Sequence, residues 1–176
     1  MKYFTVELLN RIRSDDDDVS ARAHDEWESA LKRYSGLEAQ IKEGLPSAAQ
    51  RFLDEHVCLH DARLLNLGRR VDTFVMVLEK EAASRDLVIL MFILDGEPKI
   101  ENTPLADKTD AAAITWMYEE WSRDRRGRPC FDAIWSNGWH LSLRLKDFNY
   151  VIVPQVFPKR DEQSGPFSLM ELSRPA

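Results

Sequence analysis

The chain is short of the features that usually betray a function. Two cysteines in 176 residues, Cys58 and Cys130, are too few for a disulfide-stapled secreted scaffold, and both are expected to be reduced. None of the seven glycines falls in a phosphate loop or a dinucleotide fingerprint, and a nucleophile elbow and a zincin helix are missing as well. The longest apolar run, Leu87 to Leu94, has eight residues, far below the roughly 20 that cross a bilayer. Positive charge is scarce too: 24 Lys and Arg stand against 30 Asp and Glu, a formal net charge of −6. That balance gives no pull toward nucleic acid or anionic lipid and favours basic partners. The opening Met1-Lys2-Tyr3-Phe4-Thr5 leads into charged residues without an apolar signal region, which predicts a cytoplasmic protein.

What is present reads as one α+β domain over 1–176, with N-terminal helices packed on a mainly antiparallel β-sheet. A helical segment covers 1–56, the sheet 57–153, and a partly ordered tail 154–176. Thr5 can cap a short helix that places Leu8, Leu9 and Ile12 on one side. Ser14-Asp15-Asp16-Asp17-Asp18 breaks it. Those acids lack the alternating ligands, turn glycine and distal glutamate of a calcium loop, so they read as a solvated linker at the positive end of the next helix. That helix spans about Val19 to Glu43, with Trp27, Leu31, Tyr34, Leu37 or Glu38, Ile41 and Leu45 as its apolar stripe. Gly44 is its expected cap, and Pro46 opens a third helix to about Glu55 with Phe52 and Leu53 inward.

From Val57 the period changes. Strands are expected over Cys58–Leu67, with a bulge near His60-Asp61, over Val71–Glu79, and over Leu87–Leu94, the last covered on both faces. A weak strand at Lys99–Asn102 and a loop over Thr103–Asp110 follow. Asp110–Asp124 fits helix, with an N-cap at Asp110, or strand, and local propensity mildly prefers helix. Ser136-Asn137-Gly138-Trp139 is a hairpin signal. With Asn137-Gly138 as a two-residue loop, Trp135 faces His140 and Phe131 faces Arg144. Ile134, Trp139, Leu141, Leu143 and Leu145 then make the core face, and Phe131, Trp135, His140 and Arg144 the other. A last strand, Tyr150–Val153, follows a bend at Lys146–Asn149. The tail is expected to be ordered where Phe167, Leu169, Met170 or Leu172 docks.

Several of these stretches occur together: Met1-Lys2-Tyr3-Phe4-Thr5, Trp27, Tyr34, Ile41-Lys42 before Leu45-Pro46, Leu59-His60-Asp61-Ala62, Trp135-Ser136-Asn137-Gly138 and Lys146-Asp147-Phe148. In this combination the chain resembles a family of uncharacterised bacterial proteins, a domain of unknown function with a central His-Asp motif. The resemblance implies a helical N-terminal segment followed by a mainly antiparallel sheet, and it assigns the second half of Asp110–Asp124 to strand. It brings no reaction with it.

Candidate chemistry therefore rests on the residues. His56, Cys58 and His60 alternate, so a regular strand would offer two imidazoles and a thiolate on one face to zinc. Against this stand a structural histidine and a small buried thiol. His60-Asp61 could pair as acid and base only across a bulge, and a structural polar pair at the helix-to-sheet junction is the plainer reading, with Asp61 meeting Arg63. Arg123-Asp124-Arg125-Arg126-Gly127-Arg128 beside Trp121 could clamp phosphates, but at −6 overall it reads as a charged hairpin loop. Phe131, Trp135, His140 and Arg144 form a contact surface if exposed, or else lie beneath the helices. The expectation is a non-enzymatic protein that binds another protein, of regulatory or toxin-neutralising type, with no cofactor, no membrane and no nucleic acid. The alternative is a small metal-dependent hydrolase using His56, Cys58 and His60.

Overall fold

The computed structural model describes residues 1–80, 85–103 and 113–155. The expectations for 104–110, for a cap at Asp110 and for docking of Phe167, Leu169, Met170 and Leu172 lie outside them. Three helices, α1 (Val6–Ile12), α2 (Asp17–Lys42) and α3 (Ser47–Asp54), precede the strands β1 (Arg63–Arg70), β2 (Thr73–Glu79), β3 (Leu87–Leu94), β4 (Lys99–Asn102), β5 (Trp116–Arg123), β6 (Pro129–Trp135) and β7 (Trp139–Val153). The fold is α+β with an antiparallel sheet in the order β1-β2-β3-β7-β6-β5, and β4 also pairs with β7. Arg63 at the start of β1 forms an isolated bridge to Thr115, just before β5.

The helices start where side chains can absorb their free amides. Thr5 accepts from Leu8 N at 3.1 Å, and Asp16 accepts from Asp18 N and Val19 N. α2 ends at Lys42 with Glu43 as its cap, not the expected Gly44. Its buried positions are Ala23 and Ala30, with Trp27, Tyr34 and Ile41 half-buried between and beyond them, whereas Leu31 and Leu37 of the expected stripe are exposed. Small alanines let the helix approach closely while the aromatics reach past them, so the contact line runs one position away from the leucines.

β7 organises the sheet. Its first half pairs with β6 on one side and β4 on the other, and its second half pairs with β3 from Leu94↔Leu145 to Leu87↔Val153. The expected bend at Lys146–Asn149 is a shift of register within one 15-residue strand, between the Ile93↔Asp147 and Leu94↔Leu145 pairs. β3 spans the expected residues Leu87–Leu94, but it is covered on one face and not on both. Val88, Leu90, Phe92 and Leu94 are at most 2% exposed, and Leu87, Ile89, Met91 and Ile93 are half-buried. The core gathers that face with Phe74, Met76 and Leu78 of β2, Leu141, Leu143, Leu145, Phe148 and Tyr150 of β7, and Phe52 of α3. Phe52 meets Phe148 edge-on at 5.7 Å and Tyr150 at 5.1 Å.

The hairpin forms where Asn-Gly placed it, with a different loop. Pairing runs Ile134↔His140, Asp132↔Ser142 and Cys130↔Arg144, so Ser136, Asn137 and Gly138 together make the loop. Gly138 N donates to Trp135 O at 2.9 Å, and Gly138 alone of the three has a positive φ, 83°. This is a type I turn followed by a left-handed glycine. One extra loop residue turns every β6 side chain to the opposite face. Phe131 and Trp135, expected on a surface, are therefore 1% exposed in the core beside Leu143 and Leu141, and Ile134 sits on the other side under Leu9.

Gly138→Ala is expected to lower stability by about 1–2 kcal/mol through left-handed strain, read as a lower urea midpoint at unchanged slope. Asn137→Ala, whose backbone is not left-handed, should cost less; equal costs would fit the two-residue turn instead.

Candidate functional site

On the outer face of β5, β6 and β7 stands a lattice of polar side chains. Asp132 and Ser142 are register partners, and His140 and Arg144 lie two positions either side of Ser142 on β7. Asp132 Oδ1 accepts from Ser142 Oγ at 2.5 Å and from His140 Nε2 at 3.2 Å, and the Met1 amino nitrogen lies 3.2 Å away. The Met1 amino nitrogen and Ser142 Oγ each lie 3.3 Å from the same imidazole nitrogen. The Ser142 hydroxyl donates to Asp132, the shorter of its two contacts. Burial alone would push the Asp132 carboxyl up, but the bonds from His140, Ser142 and the amino group outweigh it and hold the group below its ordinary value.

A second carboxylate completes the attachment. Glu120, 2% exposed on β5, accepts from Lys2 N at 2.8 Å and from Tyr3 N and Phe4 N at 2.6 Å each. Three amides on one carboxylate satisfy donors that an irregular strand would otherwise bury unpaired. Phe4 then packs against Tyr118 at 5.5 Å, Tyr34 at 5.8 Å and Trp27 at 6.1 Å between ring centroids. Neither Glu120 nor Asp132 stood out in the sequence. The available signal was a pair of acids, Glu119-Glu120, inside an aromatic strand.

β5 ends the sheet path, and side chains occupy its outward backbone groups. The Tyr34 hydroxyl accepts from Trp121 N at 2.8 Å and donates to Trp121 O at 3.3 Å; burial pushes this phenol upward, opposed by the backbone bond. His60 Nδ1 lies 2.8 Å from Met117 O, which places a proton on Nδ1 because a carbonyl only accepts. Asp61 N donates to Trp116 O at 2.8 Å from a left-handed residue, φ 62°, and that bend brings Asp61 Oδ2 to 3.6 Å from His60 Nε2. His60-Asp61 thus caps a strand edge. Arg63 pairs with Glu79 at 2.6 Å, not with Asp61. Beside it, Glu119 is half-buried; burial raises its carboxyl against the 2.6 Å bond from Trp116 Nε1 and the nearby His60.

The stretch 55–62 is turn and extended coil, not strand. Val57 and Leu59 point into the core, while His56, Cys58 and His60 are exposed, with His56 at a φ of 47°. Among the described residues, no group of three or more His, Cys, Asp or Glu side chains is placed to hold a metal ion. The His56, Cys58 and His60 set is therefore not assembled. The arginine-rich loop is largely self-contained: Arg128 pairs with Asp124 at 2.6 Å and Asp95 at 2.8 Å, and with the Arg128 and Arg126 amides it holds the Asp124 carboxyl at about 2.

One broad feature remains. On β2, β3 and the second half of β7 the same outer face turns apolar: Val75 pairs with Met91, Val77 with Ile89, and Ile89 with Val151. Val151 is 45% exposed, its neighbours are half-buried, and all stand outside the core cluster. Asp72 and Asp147 border the patch at the Ile93 end, with no ion-pair partner among the described residues.

The architecture therefore defines an α+β protein whose described helices include none long and apolar enough to cross a membrane. No protein-family model, no curated protein and no solved structure matches the chain.

Glu120→Ala leaves three amides without their acceptor and is expected to cost about 3 kcal/mol, with faster hydrogen exchange at Tyr3 and Phe4; unchanged exchange there would refute the attachment. The pH dependence follows from the sign of the Asp132 shift. A carboxyl depressed on folding stabilises above its unfolded value of about 4, and that contribution is lost as pH falls through the lower folded value. Urea midpoints at pH 7 and pH 3 should accordingly differ less in Asp132→Asn than in the wild type.

Proposed function

We propose that the protein acts without catalysis by binding another protein, in a regulatory or toxin-neutralising role in the bacterial cytoplasm, as a member of the uncharacterised family its motifs resemble. The observation that carries this reading is the apolar outer face of β2, β3 and β7. Val75, Val77, Ile89, Met91 and Val151 form a contiguous patch on three neighbouring strands, half-buried to 45% exposed. Apolar patches of this kind mark interaction sites. Asp72 and Asp147 at its margin, in a chain of net charge −6, favour a partner whose own apolar patch is bordered by Lys or Arg. The chemical clusters of the molecule are by contrast engaged with its own groups: Glu120 with the amides of residues 2–4, His60 with the Met117 carbonyl, and Asp132 with the His140 and Ser142 side chains.

The test compares the wild type with Met91→Glu/Val151→Glu, both checked for folding by circular dichroism, as baits in bacterial lysate. The expected result is a basic protein captured by the wild type, rebinding as a purified component, and losing at least tenfold in affinity to the double variant but not to Leu31→Glu on the exposed side of α2. Background proteins alone, a partner indifferent to the double variant, or a wild-type dimer that the double variant abolishes would each overturn the proposal.

A further inference from the structure

The groove between β4, β7 and β6 encloses about 440 Å³ and is lined by Glu97, Lys99, Glu101, Asp132, Ser142 and Arg144, among others. Its charges are unevenly matched. Glu97 is held by both guanidinium nitrogens of Arg69, one of them at 2.9 Å. Asp132 is taken by His140, Ser142 and the Met1 amino group. Glu101 lies at the far end, 3.9 Å from His140 Nδ1. The two cations are in the opposite condition. Lys99 and Arg144 make no hydrogen bond or ion pair through their side chains among the described residues, although both stand in a groove with three carboxylates.

Their placement is fixed by the sheet. Lys99 is the register partner of Ser142, and Arg144 is two residues further along β7, so the two are diagonal neighbours on one face. Such positions lie about 7–8 Å apart between backbones, within reach of one small anion for long side chains. The turn after β3 makes room for the arginine. Gly96 has a φ of 123°, and a Cβ there would come within 2.6 Å of Arg144 Nη2. The left-handed backbone disfavours a side chain at that position, and the exposed end of Arg144 would have to shift to admit one.

We propose that this groove is a binding site for a phosphate group, held between Lys99 and Arg144. Two unmatched cations suit a phosphate, with about −1.5 to −2 charges near neutrality, better than a carboxylate with one. Ser142 is not a donor to it, because its proton is committed to Asp132. The site is independent of the apolar face and of the protein-binding reading.

The experiment is a titration of the full chain, labelled with nitrogen-15, with inorganic phosphate at low ionic strength, followed by amide shifts. Saturable changes confined to Gly96, Lys99 and Arg144 are expected, with at least tenfold weaker binding in Arg144→Gln and in Lys99→Gln. Arg125→Gln, at the exposed loop between β5 and β6, should bind as the wild type does. Both groove side chains are exposed, and the spectrum of each variant reports its fold directly. Glycerol phosphate binding more tightly than phosphate would identify a phosphorylated small molecule as the ligand; equal binding would leave free phosphate. No saturable change, the same changes with chloride or acetate, or full binding by Arg144→Gln would overturn the proposal.

Discussion

The constraint on which the rest of this structure depends is that one strand must serve two sheets' worth of neighbours. β7 gives its first half to β6 and β4 and its second half to β3. A strand of this length twists, and a straight 15-residue register with three partners would strain the ladder. The register shift between Leu145 and Asp147 relieves it, because an extra residue bends the strand and increases local twist. The inward side stays apolar across that shift, from Leu141, Leu143 and Leu145 to Phe148 and Tyr150. The outward side changes character at the same place, from Ser142 and Arg144 before it to Val151 after it. The polar groove and the apolar patch are therefore two halves of one continuous face, divided where β7 bends.

The N-terminal segment solves a different problem. β5 terminates the sheet path and would present open amides and carbonyls to water or to another chain. Tyr34 and His60 occupy its backbone groups from α2 and from the turn before β1, and Glu120 draws residues 2–4 across its outer side. These bonds span 57 to 118 residues of sequence. They are distant in the chain and adjacent in space, which is why the sequence could mark Trp27, Tyr34 and His60 as unusual without indicating what they meet.

Much of the fold was legible because it is written in local patterns. The apolar run of β3 and the Thr5 cap each follow from residues close together, and both formed over the expected residues, whereas the strand expected from Cys58 starts at Arg63. The site was less legible, for a reason that the hairpin makes concrete. Asn137-Gly138 specifies a tight turn, yet both a two-residue and a three-residue loop accept a left-handed glycine. Choosing between them depends on whether Phe131 and Trp135 or Ile134 fill the larger side of the core, and that is decided by Phe92, Trp116 and Trp121 on other strands. A single residue in the loop thus exchanged two aromatic surface candidates for buried ones. The α2 stripe failed similarly: Leu31 and Leu37 satisfy the helical period, but Ala23 and Ala30 permit the closer approach.

Charge follows the same division between local and assembled information. The composition sums to −6, and from that number alone an anion-binding groove would be excluded. A sum, however, counts every carboxylate as available, and the structure shows that the relevant ones are not. Arg69 reaches Glu97 from β1, and His140 and Ser142 reach Asp132 across β7, so the acids nearest Lys99 and Arg144 have their charge met by donors that the fold brings from elsewhere. At a Debye length of about 8–10 Å in ordinary salt, the more distant acids of α2 contribute little to the potential in the groove. What a small ion would meet there is set by the pairing of each neighbouring carboxylate, and net charge describes only the approach of large partners from a distance.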